Sequence, residues 1–145
     1  MSTLEKAIMI AAAGHAGVLD KAGAPYILHS LRVMLAMNEA TDRIVAVLHD
    51  VVEDCDGWTL DRIRSEGFSE EVVKALDSVT KRNGEEYLSF VRRAAANPIG
   101  RKVKLADLRD NSNLARISNP TQRDFDRIEK YRDAIEMIEQ MDSRP

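Results

Sequence analysis

The chain has 145 residues, of which 44% are hydrophobic and 31% are charged, enough apolar material for the core of one domain. Its formal net charge of -3 excludes the broad cationic surface that binding to a nucleic acid polymer requires. Cys55 is the only cysteine, so an internal disulfide is excluded and a reducing, cytoplasmic location is expected. No apolar run approaches the roughly 20 residues of a membrane-spanning helix, so no membrane partner is expected.

Apolar residues recur at spacings of three and four along almost the whole chain, and alternating β-branched runs are absent. This pattern predicts an all-α protein of seven or eight helices, folded as a single domain over residues 1–145. In chain order, the predicted helices cover approximately residues 2–18, 25–37, 43–54, 59–67, 69–81, 85–96, 101–117 and 120–142.

Several of these helices have recognisable first residues. Ser2 and Glu5 form a capping-box pattern, in which two side chains satisfy free backbone N–H groups at the start of the first helix. Thr41 or Asp42 is expected to cap the third helix, and Ser69 the fifth. The third helix is nearly all apolar along its length, so we expect it to lie at the centre of the fold.

The end of that third helix carries an unusual density of ionisable groups, namely His49, Asp50, Glu53 and Asp54. Burying such groups beside an apolar core costs several kcal/mol each unless they are paired or bound to a metal. A spacing of four places His49 and Glu53 on one side of the helix, and Asp50 and Asp54 likewise. The stretch therefore predicts a site for a divalent cation.

A complete site needs further ligands from other helices. The chain has only three histidines, and His29 in the second helix is the natural second imidazole. Asp107 lies among apolar neighbours, where an unpaired carboxylate would be costly. Two imidazoles and two carboxylates favour one Mn²⁺ ion, while Zn²⁺, Fe²⁺, Co²⁺ and Ni²⁺ remain open. A buried ion-pair network without metal is the competing interpretation.

Five stretches carry a resemblance to a known family: Gly14-His15-Ala16-Gly17, residues 21–29, residues 48–54, Ser78-Val79-Thr80-Lys81 and residues 103–111. In this order and spacing they resemble the HD-domain metal-dependent phosphohydrolases. The resemblance is strongest to the hydrolase domain of RelA/SpoT-type alarmone enzymes and to the stand-alone small alarmone hydrolases. It extends over about residues 4–111 and implies one HD-domain helical bundle with the metal site between central helices. Members that also synthesise alarmones carry a second catalytic domain, which we do not expect here.

The resemblance implies an enzyme that removes pyrophosphate from the 3′ position of guanosine tetra- or pentaphosphate-like nucleotides by attack of a water that the metal activates. The implied partner is a small phosphorylated nucleotide, and homo-oligomerisation is left open. The roles implied for individual residues are metal ligand for His29, His49, Asp50 and Asp107, catalysis beside the attacking water for Glu53 and Asp54, and nucleotide binding for Lys21 and Asn111.

Two positions depart from the family pattern. Asp20 stands where these hydrolases usually have an arginine that helps to hold the purine nucleotide, and Leu108-Arg109-Asp110 replaces Arg-Leu-His. The departure at Asp20 affects which nucleotide is expected as substrate more than it affects the expected hydrolytic reaction. Two alternatives are therefore kept: a nucleotidase or phosphatase acting on another nucleotide, and a nucleotide-binding module that has lost catalysis.

Overall fold

A computed structural model describes residues 1–142 of the chain. Its helices follow one another along the chain as α1 (Leu4–Gly14), α2 (Ile27–Leu35), α3 (Ala40–Leu48), α4 (Val51–Asp54), α5 (Leu60–Ser65), α6 (Glu70–Ser78), α7 (Tyr87–Ala96), α8 (Pro98–Asn111) and α9 (Gln122–Asp142), with a short 3-10 helix at Leu114–Arg116.

The predicted all-α architecture is confirmed. Within residues 1–142 the only β-type pairing is an isolated bridge between Leu19 and Pro25. If α3 and the four-residue α4 are counted as one interrupted helix, the number of helices agrees with the expected seven or eight. None of the described helices has both the length and the apolar character needed to cross a membrane.

Polar side chains at the first residues of helices explain several boundaries. Ser69 caps α6 as predicted, because its hydroxyl accepts a hydrogen bond from the Val72 N–H. The prediction for α1 was wrong by one residue, since Thr3 rather than Ser2 is the cap. The Ser2 hydroxyl instead donates to the carbonyl of Glu66, which ties the amino terminus to the turn between α5 and α6.

Two further boundary predictions were wrong, one because a tertiary contact uses the predicted cap and the other because a different side chain caps the helix. Helix α3 begins after Glu39, and Asp42 does not cap it, since its carboxylate accepts a hydrogen bond from Lys102 Nζ at 3.1 Å. Helix α8 begins at Pro98, earlier than predicted, because the Asn97 side chain caps it, and it ends at Asn111 instead of continuing to residue 117. Proline in the first turn is compatible with this start.

The core is organised around α3, as its apolar sequence predicts. Its last turns are fully buried at Val45, Ala46, Val47 and Leu48, and the helix packs against α1, α2, α6 and α8. A second apolar cluster joins α7, α8 and α9. Because α8 contacts both α2 and α3, side chains from these three helices can meet at one point.

Close packing between α8 and the α6–α7 layer requires a glycine. A Cβ added to Gly100 would lie 2.8 Å from the Ala94 carbonyl oxygen and would also overlap the Ser78 hydroxyl. With a Cβ at this position, α8 would have to move away from α6 and α7.

We therefore predict that Gly100→Ala destabilises the protein by about 1–3 kcal/mol, the usual cost of overpacking. In a helix with open space at this position, the same change would stabilise the protein by about 0.5–1 kcal/mol. The sign of the change in the free energy of unfolding therefore distinguishes the two cases. Urea unfolding measures it. The double variant with Ser78→Ala should recover part of the loss, and a stabilising Gly100→Ala would contradict this packing.

Candidate metal centre

Four side chains from three parts of the fold converge on one point. His29 lies on α2, His49 and Asp50 lie at the junction of α3 and α4, and Asp107 lies on α8. One ligand-type atom from each lies within 4.8 Å of all the others. These are the four residues predicted as metal ligands, and the structure brings all of them together.

A break in the helix places two neighbouring residues at this point. Helix α3 ends at Leu48, and Asp50 has φ -103° and ψ -1°, outside regular helical values. The sequence instead predicted one continuous helix through Asp54. As a result of the break, His49 Nε2 and Asp50 Oδ2 lie 3.0 Å apart, although side chains of neighbouring residues in a helix diverge by about 100°.

Both imidazoles turn the same nitrogen toward the centre. The Nδ1 atom of His29 lies 2.6 Å from Asp110 Oδ2, and that of His49 lies 2.6 Å from the Ala46 carbonyl oxygen. Since both partners are acceptors, each Nδ1 carries a proton and donates. The Nε2 atoms therefore face the cluster, which is the arrangement of histidines that bind metals through Nε2.

The charges of the cluster shift the pKa values of its histidines and of Asp107 in opposite directions. Burial lowers the pKa of His29 and of His49, but the surrounding carboxylates outweigh burial and raise both pKa values. Burial likewise raises the pKa of Asp107, yet the Lys104 ammonium and the two imidazoles hold it well below its usual range. Ionised carboxylates and cationic partners thus stabilise one another in a buried space.

One atom distinguishes a metal site from a satisfied ion-pair network. His49 is 2% exposed, and its Nε2 has no hydrogen-bond partner among the described residues, even though two carboxylates lie within 3.4 Å. A buried nitrogen without such a partner is costly unless something else binds it. The nitrogen and oxygen donors present fit a divalent ion of the first transition row.

Further polar groups orient the two carboxylates. The Tyr26 hydroxyl donates to Asp50, the Asn111 amide donates to Asp107 Oδ1 at 3.0 Å, and Lys104 Nζ donates to Asp107 Oδ2 at 3.2 Å. Tyr26 is not among the residues that the sequence points to, because only the fold brings its phenol to Asp50. Such outer partners hold metal-binding carboxylates in place.

Glu53 and Asp54, predicted to act beside the attacking water, have different surroundings. The Glu53 carboxylate accepts a hydrogen bond from the Lys81 backbone N–H at 2.9 Å, so it is already engaged with the segment after α6. Burial, followed by the negative charges of Asp50 and Glu53, raises the pKa of Asp54 to about 6. A carboxyl with such a pKa can exchange a proton near neutral pH.

A cavity of about 400 Å³ lies beside His29. Both residues predicted to bind nucleotide, Lys21 and Asn111, line it, and three arginines also contribute: Arg32, Arg116 and Arg127. Lys21 has no hydrogen bond or ion pair with any other residue in the described part of the chain. Arg32 and Arg116 pair with Asp110, and Arg127 pairs with Asp124, so among the described lining residues Lys21 is the cation most available to an anionic ligand beside the four-residue cluster.

The departure at Asp20 has a structural explanation. Asp20 Oδ1 accepts hydrogen bonds from the backbone N–H groups of Ala22 and Ala24, both at 2.9 Å, so its carboxylate shapes the turn that carries Lys21. The arginines of other helices contribute positive charge to the same cavity. The Asp20 carboxylate therefore stabilises the loop and is not an unpaired charge that faces the ligand.

Comparisons with known proteins agree with this geometry. The chain is 32% identical over 151 aligned residues, covering 95% of its length, to a probable GTP pyrophosphokinase of Mycobacterium leprae. It is 34% identical over 120 residues, covering 74% of its length, to the guanosine-3′,5′-bis(diphosphate) 3′-pyrophosphohydrolase of Aquifex aeolicus. The matches cover 18% and 17% of those relatives, so the chain corresponds to less than a fifth of either. No family model matches.

A solved structure shares the fold. A protein described as a metazoan ortholog of SpoT superposes with a TM-score of 0.73 over 93% of this chain and 84% of that chain, at 22% identity. The helical bundle with a His-Asp pair at its centre defines an HD domain. The curated relatives, which match 95% and 74% of this chain, show that the chain belongs to the RelA/SpoT-type HD domains.

The raised pKa of Asp54 yields a stability prediction. Folding raises its pKa from 3.8 to about 6, so the ionised form is penalised in the folded state. The penalty is absent below about pH 4 and complete above about pH 7. Asp54→Asn should therefore stabilise the metal-free protein at neutral pH by about 1 kcal/mol, a value reduced for solvent screening of a partly exposed group.

Urea unfolding in EDTA across this pH range measures the effect. Asp56→Asn, on the exposed neighbouring carboxylate, is the control and should show no comparable gain. A gain for Asp54→Asn that is equally large near pH 4, or a loss near pH 7, would contradict the assigned burial and repulsion.

Proposed function

We propose that this domain is a metal-dependent pyrophosphohydrolase that removes pyrophosphate from the 3′ position of guanosine tetra- or pentaphosphate-like nucleotides. The observation that carries the proposal is the four-residue cluster of His29, His49, Asp50 and Asp107 adjoining a cationic cavity. The Aquifex relative is named for this reaction, and the metazoan protein is described as hydrolysing ppGpp. Both support hydrolysis over the synthesis for which the Mycobacterium relative is named.

The four-residue cluster is proposed to hold one divalent ion, with Mn²⁺ as the preferred metal. Mixed imidazole and carboxylate donors suit Mn²⁺ and leave coordination positions open, while Zn²⁺, Fe²⁺, Co²⁺ and Ni²⁺ are the alternatives that metal analysis would distinguish. When bound, such an ion lowers the pKa of water and neutralises charge on a phosphoryl group. The reaction would depend on it.

The remaining steps are assigned to the chain's own residues. Lys21 and Asn111 would bind the nucleotide, and Lys21 would neutralise its phosphates together with those N–H groups of the cavity arginines that Asp110 and Asp124 leave free. A water oxygen forms a bond to the phosphorus attached to the ribose 3′ oxygen, and the bond between that phosphorus and the 3′ oxygen breaks. Asp54 accepts the water proton, and the 3′ oxygen takes a proton from solvent. The products are the 5′-phosphorylated nucleoside and pyrophosphate.

Asp54 is the better candidate for the proton acceptor than Glu53. Its pKa near 6 lies closer to neutrality, where a general base is most effective, and it lies within the electrostatic reach of Asp50 and His49. Glu53 is proposed to hold the Lys81 segment through its hydrogen bond to that backbone. Glu53 and Asp54 thus both belong to the proposed catalytic site, Asp54 as the proton acceptor and Glu53 as the residue that holds the neighbouring segment.

A second function is favoured by one observation. Because the Asp20 carboxylate holds the loop, no cation stands at this position of the cavity wall to hold a purine, which suits a nucleotidase acting on a different nucleotide. A binding module without catalysis is the third candidate, and the presence of all four ligands weighs against it. We propose that residues 1–145 form one HD-type domain, that its location is cytoplasmic, and that its partner is a small nucleotide and not a nucleic acid polymer.

A panel of nucleotides tests the reaction. With Mn²⁺ added, we expect pyrophosphate release from guanosine 3′,5′-bis(diphosphate), and EDTA should abolish it. Asp50→Ala should lower kcat/KM by about 10³-fold or more, because a metal ligand is removed. Asp56→Ala, an exposed carboxylate near the site, is the control and should retain activity. Orthophosphate release from monophosphates alone would favour the nucleotidase, and no hydrolysis at all would favour the binding module.

A second prediction tests the cavity. Lys21→Gln should raise KM for the same nucleotide by about 10-fold or more, the loss expected for one charge-assisted hydrogen bond, with a smaller change in kcat. Lys74→Gln removes an exposed lysine on α6 and should leave KM unaltered. An unaltered KM for Lys21→Gln would place the nucleotide elsewhere.

A further inference from the structure

A carboxylate outside the four-residue cluster holds one of its imidazoles. Asp110 Oδ2 lies 2.6 Å from His29 Nδ1, and the Asp110 side chain is 12% exposed. Asp107 precedes it by one helical turn on α8, with Oδ1 lying 3.0 Å from the other ring nitrogen of His29. One face of α8 thus presents a carboxylate to each nitrogen of the same ring.

Two arginines fix the orientation of Asp110. Arg32 donates from Nε to Oδ1 at 2.8 Å and from Nη2 to Oδ2 at 3.1 Å, a bidentate pair. Arg116 Nη2 donates to the Asp110 backbone carbonyl at 2.7 Å and lies 3.4 Å from Oδ2. Arg32 follows His29 by one turn of α2, so the same helix carries the imidazole and the group that anchors its partner.

The two imidazoles have chemically different outer partners. His49 Nδ1 donates to the neutral carbonyl of Ala46, whereas His29 Nδ1 donates to an ionised carboxylate. An anionic acceptor makes a stronger hydrogen bond and increases the basicity of the opposite nitrogen. Asp110 should therefore affect the ligand strength of His29 and leave that of His49 unaltered.

We propose that Asp110 is a positioning residue that fixes the ring orientation and the Nδ1–H tautomer of His29, so that Nε2 is directed at the ion held by the four-residue cluster. Arg32 and Arg116 hold Asp110 in the required orientation. The inference rests on the proposed metal-dependent function. The family pattern has histidine at this position, so the carboxylate is a property of this chain and is not supplied by the resemblance.

Metal affinity tests the proposal directly. Asp110→Asn should raise the Mn²⁺ dissociation constant by about 10–100-fold, the usual effect of losing such an outer partner. Isothermal titration calorimetry on the full chain measures it. With Co²⁺ as the probe, the visible absorption spectrum should change, because the His29 ligand is altered. Asp110→Glu retains a carboxylate and should recover part of the affinity, and saturating Mn²⁺ should restore much of kcat in Asp110→Asn.

A matched control separates positioning from general stability. Glu85 is 14% exposed and forms a bidentate pair with Arg93, both contacts at 2.9 Å, without touching an imidazole of the described chain. Glu85→Gln and Asp110→Asn each remove a carboxylate–arginine pair, so both should lower stability toward urea in EDTA. Only Asp110→Asn should weaken Mn²⁺ binding.

A second variant covers the case in which Asp110→Asn does not fold. Asp110→Met combined with Arg32→Met replaces a paired carboxylate and arginine by apolar side chains, which proteins commonly tolerate, and should show the same loss of affinity. A folded variant that binds Mn²⁺ within about twofold of the unaltered protein would overturn the proposal, since the expected loss is at least tenfold. If the unaltered protein binds Mn²⁺ but hydrolyses no nucleotide, only the proposed function fails. If it binds neither Mn²⁺ nor any of Zn²⁺, Fe²⁺, Co²⁺ and Ni²⁺, both fail.

Discussion

The fold depends on one electrostatic constraint: two imidazoles and two carboxylates lie within 4.8 Å of one another at the meeting point of α2, α3 and α8. Desolvation of such groups costs several kcal/mol each, and mutual pairing offsets it only where every polar atom finds a partner. His49 Nε2 finds no hydrogen-bond partner among the described residues. A divalent cation at this point would satisfy that nitrogen and neutralise the carboxylates together.

Hydrogen bonds from neighbouring groups hold the four side chains of the cluster in place. Tyr26, Asn111 and Lys104 contact the two carboxylates, while Asp110 and the Ala46 carbonyl hold the two imidazoles. Three of these residues belong to α8, Ala46 belongs to α3, and Tyr26 directly precedes α2. The hydrophobic core therefore also positions the site, because the packing of α3 against α2 and α8 sets the distances between the four side chains of the cluster. On another side, α8 meets α6 and α7 so closely at Gly100 that an added Cβ would overlap Ser78 and Ala94.

Much of this arrangement could be predicted from sequence, because its strongest signals are local. The apolar spacing of α3 and the density of charge after Leu48 indicate a central helix that ends in a cation site. The break between His49 and Asp50 could not be predicted, since no proline or glycine marks it in the sequence. The same holds for Asp42, whose carboxylate pairs with a lysine 60 residues away instead of capping its own helix.

The role of Asp20 shows a different limit. By comparison with the family pattern the residue is a lost cation, yet its carboxylate holds the backbone of the loop that presents Lys21. Sequence position alone cannot separate a side chain that meets a ligand from one that shapes the loop beside it. The three cavity arginines, which come from α2, α9 and the 3-10 helix, become neighbours only after folding.

The measurement that tests the central claim most directly is an anomalous difference map from crystals grown with Mn²⁺, recorded at the manganese absorption edge. We expect one peak per chain, from an ion bound by His29 Nε2, His49 Nε2 and carboxylate oxygens of Asp50 and Asp107. A map without a peak at this point, with the four side chains paired only to one another, would contradict the central claim.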